Sequence, residues 1–304
     1  MVHDCAMSLL STTADPTRLV RQRRGVAWML LSVVCFTSNV LLIRALGTIE
    51  SVSVWLISSV RFLVGLALVA IVFWNEWRPR QLVQDRKLIE RGVIGGLSVY
   101  GYYLTVVVLG AGRATFINNT YVVIGAFMAV IWLGEKLRLV LLLGGIVSLG
   151  GLALLTDVFG SAGGPGLYDL LAVAVAASSA WVVITIRQLH AAGTHTATIF
   201  SAQCFYGLVL CLIPACVGFA GPTPEAWMLM ILAGIFAGVG QIAMTRAFGE
   251  LTVGGGSLLL MLVPVGVACG GVIFFGEHFL LFEWIGAILI ILGTAMPAWR
   301  KPAV

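Results

Sequence analysis

Trp132-Leu133-Gly134-Glu135-Lys136-Leu137 returns 142 residues later as Phe274-Phe275-Gly276-Glu277-His278-Phe279, and each copy lies between two long apolar stretches. Ile43-Arg44 returns as Ile186-Arg187, and Phe62 as Phe205, both at an offset of 143. An apolar chain repeated at half its length suggests two helical bundles around a shared site, the plan of many transporters. The number of helices per repeat then decides whether the halves are parallel or inverted.

Of the 304 residues 60% are hydrophobic and 10% charged, with a mean hydropathy of +1.05. Soluble domains carry about a quarter charged residues. The 36 glycines also suit helices that approach closely in lipid. These numbers imply an all-α polytopic membrane protein with no segment long enough to be a soluble domain. Residues 1–17 are polar and lack the order of a cleavable signal. Arg18, Arg21, Arg23 and Arg24 directly precede the first apolar stretch, which reads as a retained helix. None of the six cysteines forms a metal-type CxxC, so small apolar filler is their expected role.

A spanning helix needs about 20 mostly apolar residues. Breaks at charge clusters and Gly/Pro runs predict ten: 26–47, 52–74, 92–110, 114–133, 138–156, 168–189, 196–219, 226–248, 253–275 and 281–298. The domain organisation is a tail (1–25), a first five-helix repeat (26–156), a linker (157–167), a second repeat (168–298) and a short tail (299–304). Ser161-Ala162-Gly163-Gly164-Pro165-Gly166 gives the linker its turn-forming composition. With the N-terminus in the cytoplasm, fifteen of the eighteen Lys and Arg fall in inner segments, Arg91 and Arg187 among them. Arg113 lies outside, and Arg44 and Arg61 lie within helices. The positive-inside bias therefore predicts an inner (plasma) membrane protein with both termini cytoplasmic. Five is odd, so the second repeat is inverted relative to the first. Eight of nine tryptophans fall near helix ends, where the amphipathic ring suits the interface; Trp181 sits well inside a span.

The arrangement resembles the ten-helix EamA-like branch of the drug/metabolite transporter superfamily. Ser59-Val60-Arg61-Phe62-Leu63, Gly112-Arg113-Ala114-Thr115 and Leu133-Gly134-Glu135 carry the match in the first half. Leu262-Val263-Pro264, Phe275-Gly276-Glu277 and the Gly286…Gly293 spacing carry it in the second, over about residues 25 to 298. The resemblance implies a secondary carrier of small organic solutes, often an exporter of amino acids or related metabolites. Relatives carry sugar phosphates, nucleotide sugars or S-adenosylmethionine, so it leaves the substrate open. One departure is Pro264, which faces Val122 or Val123 in the other half; unequal bending of the fourth and ninth spans is the expectation.

A charge at bilayer depth is costly and faces protein or water. Arg61 is the first candidate for substrate contact, either gripping a carboxylate or phosphate by paired hydrogen bonds or serving as a structural arginine satisfied by backbone carbonyls. Arg44, nearer a helix end, reads as snorkelling to the interface. The remaining candidates are uncharged: Ser38, Asn39, Tyr100, Tyr103, Asn118, Asn119, Trp181, Gln241 and Thr245. Buried amides and phenols need partners, so they point at a wet cavity or bond helix to helix. Pro214, Gly255 within Gly254-Gly255-Gly256, and Pro264 are candidate hinges or static kinks. Gly144-Gly145…Gly151 and Gly286…Gly293 read as packing or homodimer faces of the fifth and tenth spans.

No acidic or histidine residue sits at mid-depth, which disfavours a buried proton relay and a strongly cationic substrate. No Walker A loop, HExxH or paired mid-membrane carboxylates suggest an enzyme. The expected partners are a small-molecule substrate and the lipid bilayer, with no cofactor and no nucleic acid. The expected activity is export of amphipathic neutral or zwitterionic metabolites by alternating access. Uptake or exchange, and a non-transporting sensor or assembly protein, are the alternatives.

Overall fold

The computed structural model describes residues 16–158, 166–217, 219 and 221–299. The first fifteen residues, the linker stretch 159–165, and Arg300 and Lys301 lie outside the described residues. The chain runs as α1 (Pro16–Ile49), α2 (Val54–Val72), a short α3 (Gln81–Gln84), α4 (Arg86–Leu109), α5 (Ala111–Asn119), α6 (Tyr121–Leu133) and α7 (Leu139–Leu155). The second half is α8 (Leu167–Ala191), α9 (Thr196–Cys216), α10 (Pro224–Phe248), α11 (Val253–Leu260), α12 (Leu262–Phe275) and α13 (Leu281–Trp299). Eight segments are long and apolar enough to cross a membrane, with α5–α6 and α11–α12 each counting as one. Two shorter apolar helices, α7 and α13, complete ten spans as two inverted five-helix repeats. At 1.5 Å per residue α7 is about 25 Å long, enough for a thin hydrocarbon core.

Helices are what such a sequence can form, since in lipid every backbone group needs an internal partner. The packing is inside-out relative to a soluble protein. Ser32, Asn39, Ser58 and Ser59 are buried, while Ile71 is 80% and Ile213 74% exposed. Below, the face at which α1 begins is called the terminal face and the opposite one the linker face.

The repeated Gly-Glu turn has one cause in both halves. Gly134 and Gly276 adopt φ of 63° and 65°, closing α6 and α12 in the left-handed conformation. The next N–H, of Glu135 or Glu277, bonds back to the Ala129 or Gly271 carbonyl at 3.2 Å. A side chain at that φ costs about 1–2 kcal/mol, so glycine is selected. The inversion then delivers Glu135 to the terminal face and Glu277 to the linker face.

The interruption is not confined to the half that carries the proline. The fourth span is interrupted at Thr120 and the ninth at Met261, at matching positions. Pro264 has no N–H for the Leu260 carbonyl, which accounts for the break in the ninth. In the fourth, the Thr120 hydroxyl and amide both donate to the Ile117 carbonyl, at 2.7 and 3.1 Å, and tighten the turn without proline. The short arms lie at opposite ends, α5 at the linker face and α11 at the terminal face.

Two boundaries differ from expectation with consequences. The Asp85 carboxylate accepts the Lys87 N–H at 2.8 Å and caps α4, which starts at Arg86 and not at 92. Arg91, expected in an inner segment, is thereby carried into the helix and fully buried. Helix α1 extends back to Pro16, so Arg21, Arg23 and Arg24 ride on a helix and not on a tail.

The glycine faces of α7 and α13 take the packing role expected of them, against each other. A Cβ on Gly144 would lie 2.6 Å from the Gly293 carbonyl oxygen, and one on Gly151 would lie 2.5 Å from that of Gly286. Those faces are closed within one chain. One buried core lies toward the terminal face, where Met29, Leu88, Ile184, Ile186, Leu189, Phe248 and Val253 are all essentially inaccessible.

Candidate functional site

A cavity of about 300 Å³ lies between the two halves, near middle depth. It lies within the range of small-molecule sites. Both halves supply polar wall residues, among them Asn39 of α1, Arg61 of α2, Tyr102 and Tyr103 of α4, Asn118 and Asn119 of α5, Ser179 of α8, Gln203 of α9 and Gln241 of α10. Leu260, Val263 and Pro264, around the break in the ninth span, supply an apolar wall with Phe36, Val182 and Met244. Arg61 is the charged residue of the lining.

The wall groups hold one another and leave defined atoms free. Arg61 Nη1 donates to the Tyr103 hydroxyl oxygen at 3.0 Å. The Tyr102 hydroxyl and Thr115 Oγ1 are 2.9 Å apart. Asn39 Nδ2 donates to the Ala233 carbonyl at 2.9 Å, and Asn119 Nδ2 to the Thr115 carbonyl at 2.8 Å. Both asparagines therefore keep their side-chain oxygens for another partner. Ser179 Oγ reaches Asn118 Oδ1 at 3.5 Å, a marginal contact between the halves.

Of the sequence candidates, Asn39, Arg61, Tyr103, Asn118, Asn119 and Gln241 meet in the cavity. Four do not. Tyr100 turns away and stacks on Trp55, with ring centroids 3.7 Å apart and planes inclined by 17°. Trp181 donates its indole N–H to Glu90 and meets Trp132 edge-on at 5.3 Å, toward the terminal face. Thr245 is fully buried behind the wall, its carbonyl in contact with the His190 ring nitrogen at 2.9 Å. Ser38 is half-buried beside the wall but does not form it. Of the hinge candidates, Pro264 lines the cavity beside a real helix break. Gly255 lies inside the first turn of α11, where the Thr252 hydroxyl caps its N–H at 3.3 Å. Pro214 falls two residues before the end of α9 and does not interrupt it at depth.

Sequence reasoning missed Tyr102, Thr115, Ser179 and Gln203. Gln203 had a signal, as the one amide in the otherwise apolar seventh span.

Two ion pairs flank the cavity, and the repeat relates them. At the linker face Arg44 of α1 pairs with Glu277 after α12, and its guanidinium lies 4.6 Å over the Phe275 ring. At the terminal face Arg187 of α8 stands 3.0 Å from Glu135 after α6. Arg187 Nη1 also donates to the carbonyls of Phe248, at 3.1 Å, and Leu251. Glu135 in turn accepts the Val253 N–H that opens α11, at 3.2 Å. Burial holds the Glu135 carboxyl above the usual carboxylate range, against the opposing pull of Arg187 and the Val253 N–H. Each pair joins the first helix of one half to the Gly-Glu turn of the other. Thus the sentence repeated in the sequence is one half of a clasp built twice, once at each face.

The chain matches the model of the EamA-like transporter family twice, over residues 23–157 and 166–298. No curated protein matches it significantly. It is similar in fold to a protein of known crystal structure at 17% identity, with a TM-score of 0.74, over 90% of this chain and 96% of that one.

Proposed function

The chain belongs to the EamA-like transporter family, and from that premise we propose that it is a secondary carrier of small organic metabolites that works by alternating access. The observation that carries this reading is the duplicated clasp. Arg44–Glu277 and Arg187–Glu135 join equivalent elements at opposite faces, with a polar-lined cavity between them. Antiparallel halves have two near-equivalent packings, and opening one clasp while the other holds converts between them. Both clasps are made in the present arrangement, which corresponds in this reading to a state closed at both faces.

The solute in this reading is amphipathic and small enough for one cavity of about 300 Å³. Aromatic walls pack its apolar body and the amides orient its polar groups. The bias of Lys and Arg supports a cytoplasmic terminal face in the inner membrane, so an exporter would load its solute at the terminal face and release it at the linker face.

Thermal unfolding of the purified chain across a metabolite panel selects ligands, because a ligand that binds the native state raises the midpoint. Flux of each hit into proteoliposomes then tests transport, and metabolite levels inside and outside overexpressing cells test direction. Hits that bind but never cross, with N118A and Q241A indistinguishable from the parent, would overturn the carrier reading in favour of a sensor.

A further inference from the structure

Two guanidiniums stand at or behind the cavity wall, and among the described residues no carboxylate pairs with either. Arg61 reaches the cavity directly. Arg91 is fully buried behind it; its Nη2 donates to Gln203 Oε1 at 2.8 Å, while its Nε and Nη1 have no hydrogen-bond partner among the described residues. Glu90, next in sequence, is engaged by Trp181 instead. Buried cations without a counter-ion are costly, and a structure retains them where an anion is to be received.

The side chain between them has its orientation fixed. Arginine only donates, so Gln203 must turn its oxygen to Arg91 and its Nε2 amide away, toward the cavity that Gln203 lines. Tyr103 is fixed in the same way. Its oxygen accepts from Arg61, so its proton is free to donate. A void of about 10 Å³, the size of one water, lies between Arg61, Gln203 and Gln241. Guanidinium, amide and phenol donors thus line one region, with no acidic group among the described residues of its wall.

We propose that Arg61, Gln203 and Tyr103 form a carboxylate-binding subsite, with Arg91 as the positioning residue that holds Gln203, so that the solute is an organic anion. Its carboxylate lies against Arg61 and the Gln203 amide, and its apolar body lies against Phe36, Val182 and Leu260. For a carrier, this replaces the expected neutral or zwitterionic solute with one bearing an unbalanced carboxylate. The subsite depends on the carrier reading for its purpose and not for its chemistry, so the two can fail separately.

The test compares ligands matched in shape and different in charge. The unfolding midpoint of the purified full chain is measured with sodium acetate, benzoate and phenylacetate and with the amides benzamide and phenylacetamide, at equal concentration. Benzoate or phenylacetate should raise the midpoint by roughly 2–4 °C near saturation, and the amides by much less. R61Q should abolish the rise and R61K should retain part of it. Q203E gives Arg91 a counter-charge, so it should raise the midpoint without ligand and remove the response to carboxylates. That variant keeps the test sound even if R61Q folds poorly. No rise with any carboxylate, equal rises with the amides, or a rise that survives in Q203E would each overturn the subsite. A carboxylate-specific rise with no flux in vesicles would remove the carrier and leave the subsite standing. Flux of neutral solutes with no carboxylate response would do the reverse.

Discussion

Replacing Arg187 by methionine should loosen the terminal face, and acid should relieve the damage. Arg187 lies 3.0 Å from Glu135, with side chains 27% and 15% exposed, and also supplies a donor to the carbonyls of Phe248 and Leu251. Removing one partner of a buried pair costs about 3–5 kcal/mol; at this partial exposure about 2–3 kcal/mol is the working figure. That is a shift of roughly 30- to 150-fold in a two-state equilibrium. Burial already raises the Glu135 carboxyl, and Arg187 is the larger opposing influence. In R187M the raised carboxyl lacks that opposition and rises further. A carboxyl with a raised folded-state value binds its proton more tightly when folded. Stability therefore falls as pH climbs from about 4.3 through the raised value and recovers as pH drops back. Hydrogen exchange of the amides from Phe248 to Leu260 should be at least tenfold faster in R187M at neutral pH, with most of the increase lost on acidification. E135Q alone should cost less than R187M, since the amide still offers Arg187 an acceptor and Arg187 keeps the Phe248 and Leu251 carbonyls. R187M/E135Q should recover much of the R187M loss. Exchange in R187M equal to the parent at neutral pH, or a loss that neither acid nor E135Q relieves, would refute the account.

Three further outcomes follow from other contacts. R44M should cost about 1 kcal/mol or less, since Arg44 and Glu277 are 37% and 31% exposed and solvent screens them; exchange near Gly271 should therefore change less than the terminal face does in R187M. G151V should lower the thermal midpoint, by overpacking worth about 1–3 kcal/mol against the Gly286 carbonyl; G150A, where nothing lies within 4 Å, should not. W181F leaves the Glu90 carboxylate without its indole donor and should cost about 1.5–3 kcal/mol in chemical unfolding, with substrate affinity unchanged.

The parts of the fold legible in the sequence are those set by chain-local rules. Gly134 and Gly276 announce helix ends because only glycine sits comfortably at positive φ, and the odd number of apolar runs between them dictates inversion. The fourth-span break was hidden because Thr120 makes it with a side-chain bond, and threonine is no helix breaker by itself. Arg91 was misplaced because one capping carboxylate, Asp85, moves a boundary by six residues. The cavity was half legible. Polar residues in apolar runs pointed to it, but Tyr100 and Tyr103, three residues apart, are about 60° apart around the helix. That angle is enough for Trp55 to capture one of them while the cavity keeps the other.

At the seam of α7 and α13, main-chain oxygen stands where a side chain would be, at both Gly144–Gly293 and Gly151–Gly286. Two rods pressed together so tightly have no bristles to ratchet over, and cannot shear without first separating. In the alternating-access reading proposed above, this pair would be the chassis: each repeat is bolted to the other through its last rod, and the remaining helices would swing against that mount.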